Sequence, residues 1–190
     1  MSLFSLGVFV NLDEYIGADT SQQFKRIGLT SDFYTKGIDA FVTNQLSLID
    51  RELQLIAIEA HVACDKFWDF INATRADYEG YESITRIGTR IRVKDRSLIA
   101  EWYRNRFAPG EEGAPKKVYS TYIRKGKGYS YPLYAFSNEP KWVRDQVAIT
   151  EREYARLREK AARLSKIRSA VMEYAAFSSK PRTNKEGELV

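Results

Sequence analysis

The sequence predicts an α+β fold: two long antiparallel helices forming a hairpin, with a three- to four-stranded antiparallel β-meander inserted between them. Three observations carry this. Apolar residues recur at steps of three and four over two separate stretches of similar length. The segment between those stretches changes to a period of two. Glycine, proline and polar clusters punctuate that middle segment where turns belong.

The first helix is expected from about Ser31 to Tyr78. Val42, Leu46, Ile49, Leu53, Ile56, Ala60, Ala63, Phe67 and Phe70 form a heptad seam, the pattern one helix face lays against another. Ser31 or Asp32 suits the N-cap. Gly37 marks a break near the start, and Gly80 suits the end. About 40 helical residues would measure roughly 60 Å. The second helix is expected from about Asn138 to Ser178, with Pro140 in its first turn and Ser137 or Asn138 as cap. Its seam is Val143, Val147, Thr150, Tyr154, Leu157, Ala161 and Leu164, then Ile167, Val171 and Tyr174 after an extra step of three. The first helix is acidic and the second basic, which favours pairing within one chain. The alternative is that each seam pairs with its copy in a homodimer.

Between the helices, Arg86, Gly88, Arg90, Arg92 and Lys94 alternate with Ile87, Thr89, Ile91 and Val93. That is a half-buried strand with a basic outer face. Lys94 to Ser97 suits a turn. A second strand is expected over 98–107, a loop over 108–115, and a third strand over 117–124. Arg124, Lys125, Gly126, Lys127 and Gly128 form a basic turn leading into Tyr129 and Tyr131. The domain is thus expected over 31–178, with residues 1–30 as an N-terminal docking segment or buried strand and 179–190 as a disordered tail.

The net charge of +5 is unevenly spread. Residues 1–85 hold 6 Lys/Arg against 13 Asp/Glu, residues 86–131 hold 12 against 4, and residues 132–190 hold 12 against 8. A basic block of this kind suits a polyanion. It also suits charge neutralisation inside the fold. The block is interleaved with aromatics: Trp102, Tyr103, Arg104, Asn105, Arg106 and Phe107 in one run, then Tyr119, Tyr122, Arg124, Lys125, Lys127, Tyr129 and Tyr131. Lys and Arg neutralise phosphates, and aromatic faces stack on open bases. A basic β-ribbon also fits a groove of duplex DNA. The expected nucleic-acid contacts are Arg90, Arg92, Arg104, Arg106, Arg124, Lys125, Lys127, Tyr129 and Tyr131. Trp102 is expected in the core, and Tyr103 and Phe107 serve equally well there.

Catalysis has little to draw on. His61 is the one histidine and Cys64 the one cysteine. Together on a helix they fall short of the four ligands of a closed zinc site, so no metal or cofactor is expected. No nucleophile-elbow or phosphate-loop motif is present. Asp95, Glu101 and Arg104 are the best nuclease cluster available, in a segment poor in carboxylates. The expectation is a protein that is not an enzyme. A lone cysteine allows no internal disulfide. The apolar opening Met1–Val10 lacks the basic start of a secretory signal. No apolar run approaches the ~18 residues that span a membrane. A cytoplasmic protein without a membrane partner is expected.

Three stretches resemble the MobI family of conjugative-transfer proteins. They are Ile99–Phe107, Tyr122–Tyr131 and Thr150–Arg158, within a likeness over roughly 85–168. The resemblance implies an accessory factor that starts DNA transfer at an origin of transfer, beside a separate relaxase that cuts the DNA. A common relaxase needs a histidine cluster near its catalytic tyrosine, and this chain has none. The resemblance brings no catalytic or DNA-contacting residue with it. The competing expectation is a non-catalytic adaptor that uses the long heptad helices to bind proteins.

Overall fold

A computed structural model describes residues 31–108 and 117–179 of the 190-residue chain. The expected docking segment at 1–30, nearly all of the tail and most of the 108–115 loop lie outside the described residues. The chain divides into two units, and the larger, Asn44–Tyr174, holds all the described β structure. The described part of the other consists of the helix ends at 31–43 and 175–179.

Helix α1 is Ser31–Thr74, strand β1 is Ile87–Lys94, β2 is Ser97–Ala108, β3 is Lys117–Tyr122, and helix α2 is Lys141–Ser178. The strands form one antiparallel sheet in the order β1-β2-β3. Two helices with a three-stranded meander between them is the layout expected. The fourth strand does not form: residues 129–131 are irregular. Their backbone groups bond to α2 side chains instead.

The α1 seam follows a different period from the one expected. Beside Ala57, the buried positions are Ile49, Leu53, Ile56, Ala60, Cys64, Phe67 and Ile71. Their steps of 4, 3, 4, 4, 3 and 4 repeat every eleven residues rather than seven. An eleven-residue repeat follows the 3.6-residue turn more closely than a heptad does, so the row stays on one face without left-handed supercoiling. Cys64 thereby replaces Ala63 in the row, and Phe70 is left 37% exposed. In α2 the row Val143, Val147, Thr150, Tyr154 and Leu157 is buried as expected, Ala161 and Leu164 are half-buried, and Ile167 and Tyr174 are exposed.

Acidic side chains of α1 meet basic ones of α2 in antiparallel order. Glu59 pairs with Arg156 at 2.8 Å, Glu52 with Lys160 at 3.0 Å, and Asp50 with Arg168 at 2.6 Å. Hydrogen bonds from Arg156 and Lys160 hold the Glu59 carboxyl below its ordinary pKa. The inner face of the sheet (Ile87, Thr89, Ile91, Leu98, Ala100 and Trp102) joins both helices in one core. Trp102 sits at its centre, in contact with Phe67, Phe136 and Tyr154 at ring distances of 5.1, 5.5 and 5.6 Å.

Helix ends differ from expectation. α1 runs unbroken through Gly37 and stops at Thr74, before Gly80. A 3-10 turn over Arg75–Asp77 then releases Tyr78 to stack on Trp142 at 5.3 Å. Gly80, at φ +57°, opens a second such turn rather than capping the helix. At the start of α2 the Pro140 carbonyl accepts the Arg144 N–H, so Pro140 precedes the first turn and occupies the cap position itself.

Candidate nucleic-acid interface

The register of the sheet sorts the basic residues. Partners across a ladder share a face, so Arg90↔Glu101 and Gly88↔Tyr103 place those residues outside, together with Tyr122 opposite Tyr103. On this outer face Arg90 bonds Glu101 at 2.5 Å and Arg92 reaches the same carboxylate oxygen at 2.8 Å. The hydrogen bond to Glu101 raises the already high pKa of Arg90. The Arg90 guanidinium also lies over the Tyr122 ring, 4.7 Å from its centroid. Tyr122 meets Tyr103 edge-on at 6.4 Å. Gly88 makes this possible, since a Cβ there would collide with the Tyr103 ring. Burial keeps the Tyr103 hydroxyl above its ordinary pKa, hence neutral. Asn105 accepts a hydrogen bond from Ser120 at 2.7 Å.

Arg104 belongs to the other face. It donates to the Ala135 carbonyl at 2.8 Å and lies 3.8 Å from the buried Glu139 carboxylate. Glu139 also accepts from the Arg86 backbone and the Thr85 hydroxyl. Arg104 therefore helps fix the start of β1 to the entry of α2. Arg106, two residues on, is exposed. Asp95, Glu101 and Arg104 do not come together: Asp95 is in the hairpin turn, and Glu101 and Arg104 are on opposite faces of β2. Among the described residues no three His, Cys, Asp or Glu side chains gather as a metal site. His61 is exposed. Cys64 is buried, its S–H directed at the Thr89 carbonyl at 3.8 Å, and burial raises its thiol pKa.

Past β3 the chain is irregular. Arg124 and Lys127 are exposed, while Lys125 bonds the Gly128 carbonyl. Tyr129 is 41% exposed, but Tyr131 is only 7% exposed and lies beneath Arg158. What organises this segment is a buried ion pair that sequence reasoning did not single out. Glu151 and Arg158 bond at 2.8 and 3.2 Å through both carboxylate oxygens. Arg158 also bonds the Ala100 carbonyl from Nε at 3.0 Å and from a terminal nitrogen at 2.7 Å, and the Tyr129 carbonyl at 2.6 Å. All five guanidinium N–H groups are thereby used. Glu151 accepts the Trp102 indole N–H and the Tyr131 backbone N–H, each at 2.7 Å. One helix side-chain pair thus clamps the middle strand and the loop after β3.

A family model, described as MobI protein, matches residues 56–172. The chain belongs to the MobI family. No curated protein and no solved structure matches it. MobI membership points to a role in mobilisation, the conjugative transfer of DNA, within a family of accessory proteins rather than known enzymes. The match begins inside α1, upstream of the motifs that carry the resemblance, so it takes in the second part of α1 and most of α2 as well as the sheet. No described helix is long and apolar enough to cross a membrane.

The three MobI-like stretches meet at the clamp. Trp102 comes from the first, Tyr129 and Tyr131 from the second, and Glu151 and Arg158 from the third. Much of what makes these stretches distinctive therefore serves folding. A sequence signal for the pair exists: opposite charges seven residues apart sit beside the apolar row of α2, on a face that elsewhere is buried.

Proposed function

We propose that this MobI-family chain is a DNA-binding accessory protein for initiating conjugative transfer at an origin of transfer, working with a separate relaxase. The observation that carries this is the group of exposed cations on the β segment of a MobI fold. Arg92, Arg124 and Lys127 are exposed, Arg90 is half-buried beside Arg92, and Arg106 is exposed on the opposite face of the sheet. Solvated guanidinium and ammonium groups neutralise phosphates and release counterions. Arg104 and Tyr131 are committed to internal contacts, so they act by positioning the β segment and the loop after it. Lys125 and Tyr129 belong to the same basic loop as Arg124 and Lys127.

The test is fluorescence anisotropy on an origin-of-transfer fragment and an unrelated fragment across a salt series. Replacing Arg124, Lys125 and Lys127 by Ala is expected to weaken binding and flatten its salt dependence, with the melting temperature unchanged. An unchanged affinity and salt slope in that variant would remove these cations from the interface. Preference for the origin fragment supports a role there, and equal binding to both supports general DNA binding only.

A protein-adaptor role has its own supporting observation. The central parts of both seams are consumed in the core, and α1 also carries a second apolar row at Leu48, Leu55, Ile58 and Val62, each 47–59% exposed. Ile149 of α2 lines a groove with Ile58 and Val62. Exposed apolar rows of this kind serve protein contacts. Leu55→Glu with Val62→Glu is expected to abolish relaxase capture while leaving DNA affinity unchanged. Capture that survives the double variant would reject this row as the relaxase surface.

A further inference from the structure

The outer face of the sheet is divided between charge and aromatic surface. Edge strand β1 presents Arg90, Arg92 and Lys94 at alternate positions, whereas Tyr103, Phe107 and Tyr122 occupy β2 and β3. We infer that this face binds unpaired DNA, with the sugar–phosphate backbone along β1 and the bases laid over Tyr103 and Tyr122. The inference rests on the DNA-binding reading above and names the form of DNA.

Three features favour an open strand over a duplex. The first is the aromatic surface. Tyr122 is 46% and Phe107 56% exposed on a sheet face where polar side chains are the usual choice. A duplex hides its base faces in its own stack, so exposed rings serve strands whose bases are free. The Arg90 guanidinium held over Tyr122 orders this surface before binding, which lowers the entropy lost on association. The second is width. Three strands at ~4.8 Å spacing span about 10 Å between their outer backbones before any side chain is added. The major groove is about 12 Å wide and admits a helix or a two-stranded ribbon. A three-stranded face does not lie flat in it.

The third is the placement of Glu101. It stands on β2 opposite Arg90, bonded to both Arg90 and Arg92. Its carboxylate repels phosphate from the middle of the sheet and keeps the backbone at the β1 edge. Alternate residues on that strand are about 6.6 Å apart, so Arg90, Arg92 and Lys94 form a track with the strand direction rather than a point site.

The experiment is anisotropy with a labelled single strand and with the same sequence as a duplex, using the full chain. The single strand is expected to bind more tightly. Tyr122→Leu is expected to weaken single-strand binding about tenfold and leave duplex binding unchanged, whereas Tyr122→Phe retains it. Arg92→Gln is expected to lower the salt slope for the single strand by about 0.7. Circular dichroism melts confirm that the variants fold. Wild-type single-strand affinity in Tyr122→Leu, or equal loss on both forms, overturns the inference. Duplex binding without single-strand binding overturns it too, yet keeps the DNA-binding reading. No binding to either form at low salt overturns both.

Discussion

Tyr154 shows how a side chain from a helix seam becomes a polar anchor. It is fully buried beneath the sheet, where its O–H lies 3.2 Å from the Thr89 hydroxyl. The Thr89 hydroxyl spends its one proton on the Glu101 carbonyl at 3.0 Å, so Tyr154 is the donor. Burial raises the Tyr154 pKa, with smaller contributions from its neighbours. An unfolded tyrosine ionises near pH 10. Because the folded pKa is the higher one, the stability from neutral Tyr154 is complete below about pH 10 and falls as pH rises beyond it. Tyr154→Phe is expected to cost about 1 kcal/mol at neutral pH through the lost hydrogen bond. It is also expected to lose less stability than wild type between about pH 8 and pH 10.5. Urea unfolding at the two pH values checks this, and identical alkaline losses would contradict it. Tyr103 and Tyr131, whose pKa values burial also raises, leave a residual slope in the variant. From sequence, Tyr154 was legible as an apolar seam residue, but its hydroxyl was not. The partner Thr89 lies 65 positions away, and only the strand register brings it near.

The hairpin between β1 and β2 was legible because its turn residues interrupt a clear alternation. Its geometry was not: Asp95 and Arg96 have φ of +49° and +57°, the left-handed pair of a two-residue hairpin turn. Arginine has no side-chain advantage there and a steric penalty of about 1 kcal/mol or more. Asp95→Asn with Arg96→Gly is expected to raise the melting temperature, since the 3.9 Å contact of Arg96 with Asp50 is exposed and contributes little. A lower melting temperature would show that Arg96 has a use the backbone alone does not reveal. The helices were legible in type and extent, because apolar periodicity over some forty residues survives local errors. The phase of the α1 seam beyond Ala60 was not. Steps of three and four fit seven- and eleven-residue repeats equally until a partner selects one. The missing fourth strand has a related cause: the tyrosines at 129 and 131 alternate as a strand would, but the Glu151–Arg158 clamp takes the backbone bonds a ladder would need.

On the proposed DNA-binding reading, stability and recognition fall to different charges in this fold, and that division is testable. Interhelical pairs such as Glu59–Arg156 are 40–53% exposed and are worth no more than about 1 kcal/mol each. The Glu151–Arg158 pair is 4–6% exposed, and breaking such a pair costs about 3–5 kcal/mol. Buried pairs are often replaceable by apolar residues without loss, but this one holds four further groups. Glu151→Leu with Arg158→Met would strand the Trp102 indole N–H, the Tyr131 N–H and the Ala100 and Tyr129 carbonyls. The double variant is therefore expected to be at least as unstable as either single one, while Glu59→Gln stays within about 1 kcal/mol of wild type. Charge on the β segment is expected to behave in the opposite way. Arg92, Arg124 and Lys127 are exposed, so their replacement is expected to leave unfolding unchanged and to lower only DNA affinity. Denaturant unfolding and anisotropy on the same variants make the comparison. A double clamp variant as stable as wild type would show that the clamp's hydrogen bonds are dispensable. Unfolding of the β-segment variants would place those cations with the fold, leaving the net charge of residues 86–131 as an internal counterweight to acidic α1.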